Sequence, residues 1–253
     1  MGSIVADYVN LNPVVMKSNN SFHEALRVME SNRIGNCIIL EDQEPIGILS
    51  EREILWYLAF TKEIPNTPIK QVILQDFENI TPRNSMLEAA KAMIQSKRKL
   101  LVFENDKLLG IITATDIIRA LKDLGVNSSL KGIITNRIYS VDYFDSILYG
   151  IKVMQKHRIG SVIVNKKNGK EIPFGIFSER DLLNKILPLQ VNLDENIGKF
   201  CSTPMITSDL KTISTAEAVK IMLSNNIKRL PLKENHGIYS ILTARDLVEA
   251  WSK

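Results

Sequence analysis

Four seven-residue segments of this chain read alike: GILSERE at 47–53, GIITATD at 110–116, GIFSERD at 175–181 and SILTARD at 240–246. Successive starts lie 63, 65 and 65 residues apart. Self-similarity at a fixed period marks an array of one supersecondary unit, which excludes any fold that does not repeat four times. Each segment carries a Gly (Ser240 in the last), two apolar residues, a hydroxyl residue and a carboxylate three positions after it. The hydroxyl and carboxylate pairs are Ser50/Glu53, Thr113/Asp116, Ser178/Asp181 and Thr243/Asp246.

A second register runs upstream. Ser21, Ser85, Ser146 and Ser214 are followed at the third position by Glu24, Glu88, Tyr149 and Glu217, and each segment leads on to a methionine: Met29, Met93, Met154 and Met222. Ser with Glu three residues on is a capping box, so these serines mark four helix starts. Tyr149 stands where Glu would close the third box. Short runs rich in branched apolar residues follow (CIIL, LLVF, SVIV, RLPL) and read as strands. Polar turns come next, at Glu41–Glu44, at Glu104–Lys107 and at Asn168-Gly169, the last a type I′ hairpin signal. A second strand ends at the seven-residue motif, from which a second helix runs on (EILWYLAF, DIIRALKDLG, DLLNKIL, DLVEAW). Gly125 reads as a helix C-cap opening the main linker.

The unit is therefore strand, helix, strand, strand, helix in about 60 residues, a size that buries only about 60% of its unfolded surface and calls for pairing. Repeats 1 and 3 share Ile-Gly before the strand (Ile34-Gly35-Asn36, Ile159-Gly160-Ser161) and the string Ser-Glu-Arg. Repeats 2 and 4 share a basic strand start (Arg98-Lys99, Lys228-Arg229) and the string Thr-Ala. Odd resembles odd and even resembles even, as block duplication of a two-unit module would leave them. The expected domains are 1–125, with units at 5–62 and 68–125, and 126–253, with units at 129–190 and 195–253.

Composition narrows the function. With 45% hydrophobic and 24% charged residues the chain has material for a core and is not disordered. Apolar stretches such as ILWYLAFT at 54–61 fall far short of the ~18 residues of a membrane span. The N-terminal residues Met1–Ala6 carry neither export nor lipidation signals, so a soluble, cytoplasmic protein is expected. Cys37 and Cys201, the two cysteines, form no redox or zinc motif and read as core, and His23, His157 and His236 show no metal spacing. A net charge of +4, with no block of five like charges, is too mild to indicate nucleic acid. No nucleophile with a base partner and no phosphate loop of the G-x-x-x-x-G-K-[ST] type is present, which argues against an enzyme.

In these residues the chain resembles the cystathionine-β-synthase (CBS) domain family, whose ~60-residue β-α-β-β-α units each end in a G-h-x-[ST]-x-x-D motif; the resemblance extends from about Val5 to Trp251. It implies an α/β fold in which four units form two pseudo-two-fold tandem pairs. Clefts between paired units would bind AMP, ADP or ATP, or in some members S-adenosylmethionine, and two pairs would join as a disk within one chain or between two chains as a homodimer. Carried over by position, Asp116, Asp181 and Asp246 would bond ribose hydroxyls. Thr113, Ser178 and Thr243 would lie by ribose or phosphate, Arg180 and Arg245 would meet phosphate, and Gly160, Ser161, Lys228, Arg229 and Leu230 would face the base. Ser50, Arg52, Glu53, Gly35 and Asn36 form a weaker set, because Glu53 is one methylene longer than Asp. Thr115 replaces Arg in repeat 2, so the second pair ranks as the better site.

The motif also reads as a capping box without any ligand. Capping boxes favour Glu, however, and three of the four copies carry Asp, which points to a role beyond capping. The basic spots Lys97–Lys99, Lys156–Arg158 and Lys228-Arg229 fit either a phosphate-facing rim or cations at helix C-termini. The expected function is a non-catalytic regulatory module without catalytic cofactor or metal, signalling to an effector protein in trans. An S-adenosylmethionine sensor, a ligand-free interaction scaffold and, behind these, a nucleic-acid binder are the alternatives.

Overall fold

The computed structural model describes residues 3–134, 138–167, 171–235 and 237–253. Asn168-Gly169 and His236 lie outside the described residues. Repeat 1 contains β1 (Val15–Lys17), α1 (Phe22–Ser31), β2 (Asn36–Glu41), β3 (Glu44–Ser50) and α2 (Glu51–Thr61). Repeat 2 contains β4 (Phe77–Ile80), α3 (Met86–Ser96), β5 (Lys99–Glu104), β6 (Lys107–Ile112) and α4 (Ala114–Asp123). Repeat 3 contains β7 (Ser140–Asp142), α5 (Ile147–His157), β8 (Ser161–Lys167), β9 (Glu171–Ser178) and α6 (Glu179–Asp181). Repeat 4 contains β10 (Ser208–Asp209), α7 (Thr215–Ser224), β11 (Arg229–Glu234), β12 (Gly237–Thr243) and α8 (Ala244–Ser252). The element order is the one expected, and the fold is mixed α/β with four small three-stranded sheets.

In every sheet the first strand runs parallel to the second and the second antiparallel to the third. A parallel pair needs a crossover, which the first helix supplies, whereas the antiparallel pair closes through a tight turn. Two of those turns have positive φ at both central residues, Asp42 and Gln43 in repeat 1 and Asn105 and Asp106 in repeat 2. That is the type I′ geometry, whose twist matches the flanking strands.

Serine caps all four first helices: Ser21, Ser85, Ser146 and Ser214 accept the N–H of the third residue on at 3.1–3.2 Å. Among the described residues the reciprocal half of the box forms at Ser85, whose N–H reaches Glu88 at 2.7 Å. Glu24 instead accepts from Asn20 Nδ2 at 3.0 Å, which corrects the expectation of a full box at Ser21. Gly125 lies beyond α4 at φ +62°, and the Val126 N–H returns to the Leu121 carbonyl, a Schellman ending.

The second helix of repeat 3 departs from expectation. It stays α-helical for Glu179–Asp181 only, and Leu182–Ile186 winds as a π-helix closed by Leu187 N–H to the Leu182 carbonyl. Pro188 lacks the N–H that another α-turn would need, and Lys185 reaches out to the Phe200 carbonyl at 2.9 Å.

The contacts gather the chain into two compact units that alternate along the sequence. One is Val14–Gln75 with Ile138–Met205, repeats 1 and 3. The other is Met1–Pro13 with Asp76–Arg137 and Ile206–Lys253, repeats 2 and 4. Each has its own core. In the odd unit α2 packs on α5, and Phe22, Met29, Ile39, Leu49, Met154 and Phe177 are buried. In the even unit α3 packs on α8 and α4 on α7, over Met86, Met93, Leu100, Ile117, Met222 and Leu247. The four repeat methionines and both cysteines are core residues, as expected. Burial pushes the Cys37 thiol up to about 12 and Cys201 to about 11, so neither is a thiolate near neutral pH.

The motif glycine has a packing reason in three repeats. A segment from elsewhere in the same unit bridges the strand beside it: Gln75 on Ile48, Asn10 on Ile111 and Ser202 on Ile176. A β-carbon at Gly47 would lie 2.7 Å from Leu74 Cβ, one at Gly110 would strike the Asn10 carbonyl, and one at Gly175 would lie 2.5 Å from Cys201 Sγ. Gly47→Ala and Gly110→Ala are each expected to cost about 1–3 kcal/mol, read as a lowered urea midpoint at unchanged slope. Both thiols should stay unreactive towards a disulfide reagent at pH 8 until the protein is unfolded.

Candidate functional site

The site is built four times at the junction between the third strand of a repeat and its second helix. The N-cap is a hydroxyl residue, Ser50, Ser178 or Thr243 at the strand's last position and Thr113 just after β6, and in repeats 1, 3 and 4 it lies across the hairpin from the first residue of the preceding strand. Asn36 pairs with Ser50, Ser161 with Ser178 and Arg229 with Thr243. Three residues into the helix the carboxylate turns back on the cap. Glu53 accepts the Ser50 N–H at 2.8 Å and its hydroxyl at 2.6 Å. Asp116 takes the same two bonds from Thr113 at 2.8 and 2.7 Å, Asp181 from Ser178 at 2.8 and 2.8 Å, and Asp246 from Thr243 at 2.7 and 2.8 Å. Capping is thus one role of all four motifs, Asp copies included.

The second carboxylate oxygen distinguishes them. Glu53 Oε1 accepts from Gln75 Nε2 at 3.0 Å; its extra methylene reaches the segment that covers Gly47. Asp116 Oδ1 holds Arg119 at 2.7 Å, and Asp181 Oδ1 holds Lys185 at 2.7 Å with the Ser202 hydroxyl at 3.2 Å. Among the described residues Asp246 alone of the four gives its outer oxygen no protein hydrogen bond. Burial, only partly offset by the Thr243 bonds, raises its pKa from the ordinary 3.8.

The arginines divide by unit. Arg52 Nη2 lies 3.6 Å from Glu179 Oε1, and Arg180 Nε lies 3.6 Å from Glu51 Oε1. The exchange is reciprocal, each odd repeat giving an arginine to the other's buried glutamate. Arg245 instead reaches the Met93 carbonyl at 3.4 Å. The loop carbonyls of Gly35, Gly160 and Lys228 accept the first helical N–H of Glu51, Glu179 and Ala244, which leaves each a second lone pair. Leu230 is fully buried in the core, and Gly35, Asn36, Gly160 and Ser161 stay at the strand starts of the odd unit.

The even unit holds a cavity of about 470 Å³ lined by Thr115, Arg119 and Lys122 of α4, by Asn226 and Lys228 after α7, and by Asp7, Tyr8 and Asp123. Lys228 was expected near a ligand; Arg119, Lys122 and Asn226 were not. The signal was present, because positions 115, 119 and 122 follow helical spacing and share one face of α4. The Tyr8 hydroxyl donates to Asp123 at 3.1 Å, and burial leads the causes that raise its pKa. In the odd unit a larger groove of about 990 Å³ runs past Leu26, Leu58, Leu183 and Ile186, and none of the expected site residues lines it.

The match to the CBS domain family covers residues 5–60, 65–123, 130–188 and 197–253, and the chain belongs to that family. A Thermofilum pendens protein of 33.4 kDa in the ribosomal RNA operon is 25% identical over 207 residues, 75% of this chain and 67% of its own length. An uncharacterised Methanopyrus kandleri protein is 38% identical over 98 residues, 38% of this chain and 48% of its own. The chain therefore spans about half to two thirds of these relatives. Among solved structures, a Methanocaldococcus jannaschii protein proposed as an archaeal homologue of γ-AMPK superposes with a TM-score of 0.82 at 18% identity, covering 97% of this chain and 99% of that one. That likeness establishes the fold.

The motif carboxylates differ in what a substitution removes. Asp246→Ala is expected to cost about 1 kcal/mol, the usual loss of a cap. Asp246→Asn keeps an acceptor for Thr243 and removes a charge that burial disfavours. Because the folded pKa lies above the ordinary value, Asp246 penalises the wild type once the pH exceeds that raised pKa, and the penalty vanishes below 3.8. Asp246→Asn should therefore be at least as stable as wild type at pH 7, with the difference closing towards pH 4 in urea titrations. Asp116→Asn, which loses the Arg119 pair, should be less stable than wild type at pH 7.

Proposed function

We propose that this chain is a regulatory module that binds adenosine nucleotides, AMP, ADP or ATP, and passes their occupancy to an effector protein in trans without catalysing a reaction. Membership of the CBS domain family supports the regulatory part. The observation that carries the ligand class is the even-unit cavity, where Thr115, Arg119, Lys122 and Lys228 line about 470 Å³. That volume falls in the range of small-molecule sites, and its lining sets the cations Arg119, Lys122 and Lys228 against the carboxylates Asp7 and Asp123, a net positive rim that suits a phosphate-bearing ligand. Thr113 and Asp116 flank the cavity's lining residue Thr115 in sequence and Arg229 follows its lining residue Lys228, whereas Thr243, Arg245 and Asp246 stand outside its lining; in this reading ribose and phosphate contacts fall to this set. The tandem grouping into 1–125 and 126–253, as duplicated modules and not as the units that share a core, and a cytoplasmic location belong to the same reading. Among the described residues no cluster of three or more His, Cys, Asp or Glu could hold a metal, and no helix is long and apolar enough to cross a membrane.

Binding would act on the effector by population. At a ligand concentration ~100 times the dissociation constant the bound form gains about 2.7 kcal/mol. That shifts a two-state equilibrium to the extent that the two states differ in affinity.

Calorimetric titration with AMP, ADP, ATP and S-adenosylmethionine tests the proposal. At least one of the three nucleotides is expected to bind, and Arg119→Ala or Lys228→Ala to weaken it about tenfold, the scale of one charge-assisted phosphate contact. Silence from all four compounds overturns the reading, and binding of S-adenosylmethionine alone replaces the nucleotide with a sulfonium ligand.

A further inference from the structure

Part of the wall of the even-unit cavity belongs to no repeat motif. Asp7 and Tyr8 come from the N-terminal segment, which packs on repeat 2 within the same unit. Val5 is buried there, its N–H bonded to the Asn84 carbonyl at 2.8 Å, and Asn10 exchanges both backbone bonds with Ile111, at 3.1 and 3.2 Å. Gly110 makes room for that second anchor, since a β-carbon there would strike the Asn10 carbonyl. The motif glycine thus helps to place Asp7 and Tyr8 beside α4. The Tyr8 hydroxyl donates to Asp123 Oδ2 at 3.1 Å, and Asp7 Oδ2 accepts the Ile4 N–H at 3.1 Å. Each bond occupies one carboxylate oxygen and leaves the side chain on the cavity wall. Arg119, Lys122 and Lys228 face these two, three cations to two carboxylates. Behind the wall Asp116 holds Arg119 at 2.7 Å, which brings the surroundings to three charges against three.

We infer that Asp7 and Asp123 set a ceiling on ligand charge, so that the cavity takes an adenosine ligand of low charge, AMP or metal-chelated ATP, and rejects free ATP. A wall of both signs attracts the first charges of an anion through its cations and repels further charge through its carboxylates, more strongly than water would allow. AMP carries about two negative charges at neutral pH, and each further phosphoryl group adds about one. Chelation of ATP by Mg²⁺ cancels the added charge. This specificity rests on the nucleotide reading. Within it, two residues outside the seven-residue motif discriminate between ligands, Asp7 from the N-terminal segment and Asp123 from the end of α4.

Calorimetry on the full chain with AMP, with ATP in EDTA and with ATP in excess Mg²⁺ provides the test. Wild type is expected to bind AMP and MgATP with similar affinity and free ATP about tenfold more weakly, a gap that narrows as salt is added. Asp7→Asn and Asp123→Asn keep the acceptors for the Ile4 N–H and the Tyr8 hydroxyl while removing a charge. Each should raise the affinity for free ATP about tenfold and change that for AMP less. Thr115→Arg supplies the residue that the other three repeats carry at this place, adds its charge from α4, and should act in the same direction. Thermal melts check the folding of each variant, and Thr115→Arg, which leaves both carboxylates in place, serves where an Asp→Asn variant fails to fold. Free ATP binding wild type as tightly as MgATP, or variants that raise AMP and free ATP equally, overturns the inference and leaves the nucleotide reading standing. Silence of every nucleotide in every variant removes the nucleotide reading, and inorganic phosphate and tripolyphosphate then decide the charge ceiling. A gain in the Asp→Asn variants that is larger for tripolyphosphate than for phosphate, and is cancelled by Lys122→Ala, upholds it; an equal or absent gain overturns it.

Discussion

Each repeat depends on one local interaction, the closed ring between a hydroxyl at the end of a strand and a carboxylate three residues into the helix that comes next. The strand end lacks a helical partner for its N–H, and the helix start has unpaired N–H groups of its own. A carboxylate that turns back on the cap satisfies the strand residue and fixes the angle at which the helix leaves the sheet. All four copies make it, with bonds of 2.6–2.8 Å. Once that angle is set, the second helix lies over the core and its apolar face meets a helix of the partner repeat.

Beyond the ring the repeats diverge. The outer carboxylate oxygen is committed to Gln75, to Arg119, or to Lys185 and Ser202, and in Asp246 it has no such bond among the described residues. In the odd unit the residue just before the carboxylate serves the partner repeat: Arg52 and Arg180 neutralise each other's neighbouring glutamates. The shared motif therefore carries a common scaffold role and leaves its remaining atoms to vary. This is why four similar segments yield unlike surroundings.

Much of this was legible in the chain. The two registers announced the element order, the serine caps and the buried methionines, because capping and helical spacing relate residues three or four apart. The type I′ turns at Asp42-Gln43 and Asn105-Asp106 were legible as polar turns, though without glycine to announce their positive φ. Three things were not legible. Glu24 closes no box because Asn20, from outside the helix, competes for its carboxylate. The second helix of repeat 3 becomes a π-helix, although DLLNKIL has ordinary helical composition. The placing of Arg52 and Arg180 3.6 Å from buried glutamates was hidden because those glutamates sit two repeats away in sequence.

By itself, then, the sequence determined the repeat, its serine caps and which residues enter a core, since all of these depend on short-range spacing and side-chain polarity. The tertiary structure decided which repeats share a core, odd with odd and even with even. It also decided whether a motif arginine meets a carboxylate of its own chain, and why Gly47, Gly110 and Gly175 admit no side chain. Those outcomes depend on the distance and burial of groups far apart along the chain, which no local pattern encodes.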